Sequence, residues 1–255
     1  MVNNIVTSVL DGLFPHYCEL CGARSGVVVP LCPGCRLDLP PNDSSCYRCA
    51  IPLPTAAADV AKRVCGTCLA EPPPFARVIA PWLYSEQLAR LVQRWKFHGE
   101  TRLTPLLATL WLQRVDGPEP PDLIVPVPLH WRRLWQRGYN QSELLGRQLR
   151  RACAPLAAAR LAPRAVRRTR ATSAQSGMHA LQRTANMRGA FTAVRPCGNL
   201  RVAVIDDVLT TGATAGAVAS ALLAAGASAV EVWCLARTPA PALRPSGRPA
   251  SVPPG

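Results

Sequence analysis

Residues 202–214 have the sequence VAVIDDVLTTGAT, in which a short apolar run meets two adjacent aspartates and then a loop of hydroxyl side chains around one glycine. The run 202–205 is too short and too β-branched for a helix, and it predicts a buried strand. The alanine-rich segment 214–225 predicts a helix. Asp206 and Asp207 are therefore expected at the carboxyl end of a strand, just before a turn into a helix.

This position in an α/β fold predicts a ligand site. Ligands of open α/β sheets bind outside the carboxyl ends of the strands. The free backbone amides and the dipole of the following helix favour a phosphate there. Two adjacent carboxylates would repel a phosphate and suit hydroxyl groups or Mg²⁺ instead. The sequence therefore predicts an anion cradle beside a diol or metal site.

From about residue 75 onward, strand and helix patterns alternate. Strands are predicted over 77–84, 122–128, 161–167, 201–209 and 229–236. Helices are predicted over 85–96, 101–115, 141–152, 179–187 and 214–225. Such alternation predicts an α/β fold, with a mainly parallel sheet flanked by helices.

The first 70 residues contain four CxxC pairs. Two such turns complete a tetrahedral Cys₄ site, so four pairs predict two structural zinc ions rather than disulfides. Sequential pairing (first with second, third with fourth) is favoured over a cross-braced arrangement, and His16 would serve only if a cysteine failed. The predicted ligands are Cys18, Cys21, Cys32, Cys35, Cys46, Cys49, Cys65 and Cys68. The remaining Cys153, Cys197 and Cys234 are isolated and are interpreted as ordinary core residues.

The charge is strongly basic, with 29 Lys+Arg against 15 Asp+Glu and a net charge of +14. Only Lys62 and Lys96 are lysines, so the basicity is almost entirely guanidinium. Arginine binds phosphate bidentately, which favours a polyphosphate ligand or nucleic acid. GC-rich coding bias is the alternative explanation, although it leaves the acid-free stretch between Glu143 and Asp206 unexplained.

Three parts are expected along the chain. Residues 1–72 would hold an N-terminal helix and a double zinc-ribbon module, 75–238 the α/β domain, and 239–255 a disordered Pro-rich tail. The first 14 residues carry no basic segment of a secretory signal. The charge-free stretch 208–230 contains the predicted turn, so it is interpreted as a buried helix and not a membrane span. A cytoplasmic protein without a transmembrane segment is expected.

The motif DDVLTTG after an apolar strand resembles the phosphoribosyl pyrophosphate (PRPP) signature of type I phosphoribosyltransferases. Two further segments, LIVPVPLHWRRLWQRGYNQSELL (123–145) and RTRATSAQSGMHALQRTANMRGAF (168–191), follow the paired CxxC region. In that order they resemble the ComF family of competence proteins. The resemblance covers nearly the whole chain to about Pro239 and implies a type I phosphoribosyltransferase-like fold.

The resemblance also implies roles for individual residues. Asp206 and Asp207 would be catalytic and hold the ribose hydroxyls of PRPP, directly or through Mg²⁺. The 5′-phosphate would lie against Thr210, Thr211, Gly212, Ala213 and Thr214. Candidate contacts for the pyrophosphate are Arg132, Arg133, Arg137, Arg168, Arg170 and Arg183. Asn140, Gln141, Gln175, Asn186, Lys96 and His98 also match family segments, without a defined role.

Three functions remain open on the sequence. The first is a ComF-like, PRPP-binding protein that assists single-stranded DNA uptake in natural transformation, with uptake machinery at the inner face of the membrane as a partner. The second is an active phosphoribosyltransferase, a glycosyltransferase, although no C-terminal segment is predicted to grip a nucleobase, so the zinc unit would have to cap the pocket. The third is a non-catalytic interaction module, which the intact phosphate loop disfavours.

The aromatic residues Trp131, Trp135 and Tyr139 recur every four positions among arginines. Single-stranded nucleic acid is commonly bound by aromatic platforms within a basic surface. The same spacing is, however, more often that of a helix face packed against the core. Both interpretations stay open on the sequence.

Overall fold

The structure is a computed structural model that describes residues 16–25, 29–54, 62–115, 117–169 and 189–239. The strands in these residues are β1 (Arg77–Ile79), β2 (Trp82–Leu83), β3 (Leu123–Pro126), β4 (Arg160–Leu161), β5 (Val166–Arg168), β6 (Phe191–Ala193), β7 (Arg201–Ile205), β8 (Val208–Leu209), β9 (Ala229–Trp233) and β10 (Ala236–Arg237). The helices are α1 (Pro33–Leu37), α2 (Gly66–Ala70), α3 (Glu86–Phe97), α4 (Thr104–Leu112), α5 (Trp131–Arg137), α6 (Gln141–Ala152) and α7 (Ala213–Ala224).

The main sheet is parallel throughout and has the spatial order β1-β9-β7-β3-β4. Strand β7 lies at its centre, with Ile205 aligned to Trp233 of β9 and to Pro126 of β3. Two smaller sheets accompany it: parallel β2-β10-β8 and antiparallel β5-β6. The predicted parallel α/β sheet is confirmed, and its central strand is the one that precedes the two aspartates.

Helices cover both faces of the sheet because successive residues of a strand point to opposite sides. Ile205 packs in a cluster with residues of α3, α4 and α6, including Trp95 and Trp111. Its neighbour Val204 packs in the other cluster, against residues of α7 such as Val218. A central parallel strand is buried on both faces and therefore has the near-continuous apolar sequence seen here.

Two of the helices were predicted closely because their first turns are capped locally. The Ser85 side chain accepts a hydrogen bond from the Leu88 amide at 3.3 Å at the start of α3. The Asn140 side chain accepts from the Ser142 amide at 3.0 Å at the start of α6. A Cβ on Gly146 of α6 would lie 3.2 Å from the Ile205 Cδ1 atom, so glycine allows this helix to approach the aspartate-bearing strand closely.

Other boundaries differ from the prediction. The segment 77–84 forms two strands because Pro81 cannot donate to a sheet ladder. The predicted strands 161–167, 201–209 and 229–236 are likewise each divided, and 101–115 begins as a 3₁₀ turn over Thr101–Leu103. Helix α5 was not predicted as an element. The helices predicted within 1–14 and 179–187, and all but the first residue of the tail predicted over 239–255, lie outside the described residues.

The cysteine-rich region packs directly on the α/β domain. Leu31 and Leu39 belong to the same apolar cluster as Trp82 and Leu110. The Asn42 side-chain amide donates to the Ala80 carbonyl at 3.0 Å, which ties the two regions together through buried groups. The cysteine-rich region therefore extends the core of the α/β domain.

Candidate functional site

The two aspartates occupy the break between β7 and β8, at the carboxyl edge of the sheet. The Asp206 amide donates to the Trp233 carbonyl at 3.0 Å, which continues the ladder between β7 and β9 by one residue. The Asp207 amide then donates to the Asp206 side chain at 2.9 Å. The Asp207 carboxylate accepts from the Val208 amide at 2.6 Å. The backbone thus fixes both carboxylates at the end of the central strand.

Asp207 is held by side chains from two helices. It is only 5% exposed. The Lys96 ammonium at the end of α3 lies 2.7 Å from its Oδ1 atom. The Gln141 amide at the start of α6 donates to its Oδ2 atom at 2.7 Å, and Arg137 in turn donates to the Gln141 side-chain oxygen. Both oxygens of Asp207 are therefore engaged by the protein itself.

Asp206 is in a different electrostatic environment. Burial, together with the negative charge of Asp207, raises the pKa of Asp206 to about 7, while the positive charge of Lys96 acts in the opposite direction. A carboxyl group with such a pKa is ready to ionise when a cation or a set of hydroxyl donors arrives. The pair thus divides into an anchored carboxylate, Asp207, and a ligand-ready one, Asp206.

The predicted phosphate loop leads directly into α7. Gly212 caps this helix with φ +80°, a left-handed conformation that side-chain-bearing residues rarely adopt. The Ala213 amide donates to the Thr211 hydroxyl at 3.3 Å. Thr210 and Thr211 are exposed, and Thr214 lines the adjoining cleft. The first backbone amides of a helix lack intrahelical partners, so this loop has the composition of an anion cradle.

A cleft of about 580 Å³ lies beside these elements. Asp206, Asp207 and Thr214 line one part of it. Its basic lining residues are Lys96, Arg133, Arg137 and Arg168. Burial lowers the pKa of Arg137 and of Arg168, and the charge of Arg133 adds to this effect at Arg168. Positive charge is therefore concentrated in a partly desolvated cleft, where an anion would be bound more strongly than at an open surface.

The predicted arginines divide into three groups. Arg133, Arg137 and Arg168 line the cleft. Arg132 instead lies over the ring of its neighbour Trp131, 5.3 Å from the centroid. Arg170 and Arg183 lie outside the described residues, as do Gln175 and Asn186. Asn140 has a structural role: besides capping α6, it donates to the Val127 carbonyl at 3.0 Å.

Arg237, which the sequence did not indicate, holds the backbone at the start of the predicted phosphate loop. It is 6% exposed, and its guanidinium donates to four backbone carbonyls. Two of these, Leu209 and Thr210, belong to the loop region, and a third is Thr238. The fourth is Cys49 in the cysteine-rich region, at 2.9 Å. No motif marks such a residue in the sequence, because its partners are backbone atoms.

The eight cysteines form two quartets in which all four sulfur atoms lie within 4.8 Å of one another. The first consists of Cys18, Cys21, Cys32 and Cys35, and the second of Cys46, Cys49, Cys65 and Cys68. The pairing is sequential, as predicted. The Cys21–Cys32 and Cys49–Cys65 sulfur distances are both 3.7 Å, far above a disulfide bond length. Four cysteine thiolates close enough to bind one ion tetrahedrally are the usual ligands of structural zinc, so these are two Cys₄ zinc sites.

The first zinc site is joined to helix α3 by a network of charges. Glu19, inside the Cys18–Cys21 turn, lies 2.7 Å from the Arg94 guanidinium of α3. Arg94 also pairs with Glu100 at 2.6 Å, and Arg102 joins both acids. Although burial opposes the effect, these arginines lower the pKa of Glu19 and of Glu100. Since Lys96 follows Arg94 by two residues on the same helix, the first zinc site supports the helix end that holds Asp207.

Lys96 and Gln141 acquire defined roles only in the structure. Both match family segments in the sequence, but no contact could be assigned to them there. The cleft is also lined by Phe97, Gly99 and Gln136, which the sequence did not indicate. Among the described residues, none of the cysteine-rich region lines the cleft. The described ribbon residues instead contact α3 through Glu19 and contact Arg237 through the Cys49 carbonyl, and capping of the pocket by the zinc unit stays a prediction.

Fold and site together define a class: a double zinc-ribbon protein joined to a parallel α/β domain with paired carboxylates at the end of its central strand. Residues 9–70 match the family described as a double zinc ribbon domain. The chain is 36% identical over 217 residues to DNA utilization protein YhgH of Salmonella typhimurium and to that of Escherichia coli K12, covering 82% of this chain and 90% of each relative. It is 33% identical over 216 residues to Competence protein F of Haemophilus influenzae, covering 81% and 90%. The chain belongs to this ComF/YhgH family of competence and DNA utilization proteins.

Within the described part of the chain, no helix combines the length and the apolar character that crossing a bilayer requires.

Proposed function

We propose that this protein binds PRPP with Mg²⁺ in the cleft and assists the uptake of single-stranded DNA in natural transformation. One observation carries the ligand proposal: paired carboxylates, a glycine-capped hydroxyl loop and three arginines adjoin one cleft of about 580 Å³. PRPP has a ribose diol, a 5′-phosphate and a pyrophosphate. Each of these groups has a matching set of side chains around the cleft.

The contacts of the two aspartates suggest a different role in ligand binding for each. Asp206, with its raised pKa and fewer protein partners in the described structure, would face the ribose hydroxyls or the Mg²⁺ ion. Asp207 would support it, since Lys96 and Gln141 already occupy both of its oxygens. Residues 210–214 would surround the 5′-phosphate. Arg133, Arg137 and Arg168 would bind the pyrophosphate, because guanidinium groups suit its paired oxygens.

The DNA role is supported by the family. The relatives carry the names DNA utilization protein and Competence protein F, and the match covers 90% of their length. The net charge of +14 suits a polyanionic partner. The partners we propose are single-stranded DNA and the uptake machinery at the inner face of the membrane, with the protein itself in the cytoplasm.

A second candidate function is phosphoribosyl transfer. It is favoured by the placement of the arginines, which would hold pyrophosphate as it leaves. In that reaction the bond from ribose C1 to the pyrophosphate oxygen breaks, the electron pair leaves with pyrophosphate, and the acceptor forms the new bond to C1. No described residue of the zinc ribbons lines the cleft, where it could hold an acceptor base. We therefore rank PRPP binding ahead of phosphoribosyl transfer.

The ligand proposal predicts that Asp206→Asn weakens Mg²⁺·PRPP binding by about 10- to 100-fold, the value of a hydrogen bond or contact to a charged group. Isothermal titration calorimetry of the zinc-loaded protein measures this directly. Pyrophosphate release in the presence of nucleobases or single-stranded DNA then tests for transfer.

Asp38→Asn is the matched control, since Asp38 is exposed and does not line the cleft. Its affinity for PRPP should equal that of the unaltered protein. A wild-type protein that is folded and loaded with zinc but binds no PRPP would refute the ligand proposal. Equal affinities of the Asp206→Asn variant and the wild type would remove Asp206 from the site.

The pKa of about 7 predicts a pH-dependent affinity. Asp206 must be ionised to receive Mg²⁺ or ribose hydroxyls, so affinity should fall as pH decreases below about 7, by up to about tenfold per pH unit. Without ligand the sign is opposite. Because the folded state retains a proton that the unfolded chain releases, stability should decrease as pH rises from the ordinary value of 3.8 to about 7. Titrations between about pH 5.5 and 8.5 test the first statement, and thermal unfolding tests the second.

Lys96→Met provides the second arm of this test. The Lys96 charge lowers the pKa of Asp206, so its removal should move the midpoint of the affinity profile to higher pH. Arg90→Met, on the same helix but 63% exposed, should leave the midpoint unchanged. A profile that Asp206→Asn does not alter would show that the ligand phosphates alone titrate, contrary to this prediction.

A further inference from the structure

Helix α5 presents large apolar side chains to solvent. Trp131 is 67% exposed, Trp135 84% and Leu134 44%. Residues three and four positions apart lie on one face of a helix, so these three side chains form a single surface. Exposed tryptophans at this density are unusual for a folded protein and mark an interaction site. We call this surface the tryptophan face. The core-packing interpretation of the Trp131–Trp135 spacing was therefore wrong.

The charge around the tryptophan face is positive. The seven residues of α5 include Arg132, Arg133 and Arg137, and no acid. The Arg132 guanidinium lies 5.3 Å from the Trp131 ring centroid, within cation–π range. Tyr139, which shares the four-residue spacing, is instead partly buried and donates through its hydroxyl to the Trp95 carbonyl. The exposed aromatic pair is thus interleaved with guanidinium groups.

A groove of about 810 Å³ adjoins the same helix and is lined by Leu134 of the tryptophan face. Its basic lining residues, all exposed, are Arg147, Arg160, Arg164 and Arg195. Glu143 is the acid among the described lining residues, and it is paired with Arg147. Pro128 and Leu129 line both this groove and the carboxylate cleft, so α5 stands between the two. We call this second depression the arginine groove.

We infer that the tryptophan face and the arginine groove form one binding surface for single-stranded nucleic acid, separate from the carboxylate cleft. The groove arginines would bind the phosphates, and the two indole rings would stack on unpaired bases. Both features are needed to choose this partner. An acidic protein would use the arginines but has no reason to require two exposed indoles. A duplex keeps its bases stacked internally and offers them no free face.

This inference rests on the proposed function only for the DNA role, since it involves neither aspartate nor the phosphate loop. Trp131→Ala/Trp135→Ala should weaken the binding of a fluorescent oligothymidylate of about 20 nucleotides by at least about tenfold, because two stacking platforms are lost and each contributes about fivefold or more to the affinity. Fluorescence anisotropy measures the affinity. Arg160→Gln/Arg164→Gln should also weaken binding and should reduce the slope of log affinity against log salt by about 0.7 for each phosphate that is no longer neutralised.

Leu37→Ala/Leu69→Ala is the matched control for the tryptophan pair, because these leucines are 85% and 70% exposed and lie in the cysteine-rich region. It should bind the oligonucleotide as the wild type does. Thermal unfolding and zinc content should be unchanged in every variant, since the altered side chains are exposed. A tryptophan variant that retains wild-type affinity would overturn the inference. Equal affinity of the wild type for a hairpin duplex would overturn it as well. So would a tryptophan variant that loses self-association while its oligonucleotide affinity is unchanged.

A parallel PRPP titration separates this inference from the proposed function. The tryptophan variant should bind Mg²⁺·PRPP as the wild type does. If the wild type binds oligonucleotide through the tryptophan face but does not bind PRPP, the cleft proposal fails and the surface stands. If PRPP binds while oligonucleotide affinity is insensitive to both variant pairs, the surface fails and the cleft proposal stands.

Discussion

Cys46→Ser is expected to leave the protein with one bound zinc ion instead of two and to unfold the second ribbon. Cys46 is buried and belongs to the quartet with Cys49, Cys65 and Cys68. A structural zinc ion supplies about 10–16 kcal/mol of apparent folding free energy at pH 7, more than a segment of this size gains from its apolar core. Zinc content by mass spectrometry and thermal unfolding measure the two effects.

The Cys46→Ser substitution should also weaken ligand binding in the cleft. The Cys49 carbonyl, next to this zinc site, accepts a hydrogen bond from Arg237, which also holds the carbonyls of Leu209 and Thr210. Loss of the second ribbon should therefore lower PRPP affinity even though no ribbon residue described here lines the cleft. Cys153→Ser is the control, since Cys153 belongs to neither quartet. It should retain two zinc ions. Full stability of Cys46→Ser with one zinc ion would contradict the assigned structural role.

Arg237→Met should lower the free energy of unfolding by about 2–4 kcal/mol, because it removes four hydrogen bonds of a buried guanidinium and leaves the partly buried carbonyls of Cys49 and Thr210 without this donor, each such loss costing about 1–3 kcal/mol before the structure relaxes. The guanidinium donates to Cys49, Leu209, Thr210 and Thr238, and no other residue type offers five donors in a planar fork. Urea unfolding at constant zinc measures the change.

Arg77→Met is the matched comparison for Arg237→Met. Arg77 pairs with Glu231 at 2.9 Å but is 26% exposed, so its loss should cost about 1 kcal/mol or less. The Arg237 variant should also bind PRPP more weakly, because the carbonyls of Leu209 and Thr210 lose their contacts with the guanidinium. The oligonucleotide affinity of the tryptophan face should not change. Equal stability losses for the two variants would show that water replaces the buried contacts of Arg237.

Several features of this protein follow from residues that are neighbours in sequence. A CxxC turn brings two sulfurs to one ion whatever surrounds it, so the zinc sites were predictable from spacing alone. The position of Asp206 and Asp207 also follows from local sequence, because a β-branched run before them and an alanine-rich run after them specify a strand and a helix. The bounds of α6 are equally local, since Asn140 caps its own helix.

The partners of Asp207 could not be predicted from the local sequence. Lys96 and Gln141 are 111 and 66 residues away in the chain, and no pattern links them to the aspartates. Only the packing of α3 and α6 on one face of the sheet brings them together. The distinction between an anchored carboxylate and a ligand-ready one, with a pKa of about 7, is a product of that packing.

The parallel α/β fold, the two zinc quartets and the edge of the sheet where the carboxylates lie could all be predicted from the chain alone, because each depends on periodicity or on spacing over a few residues. Long-range packing was needed to show which carboxylate is anchored, how Arg237 joins the second ribbon to the loop, and that Trp131 and Trp135 face solvent. A four-residue spacing is the same for a core face and for a surface face. Which of the two it becomes depends on what the rest of the chain places against it.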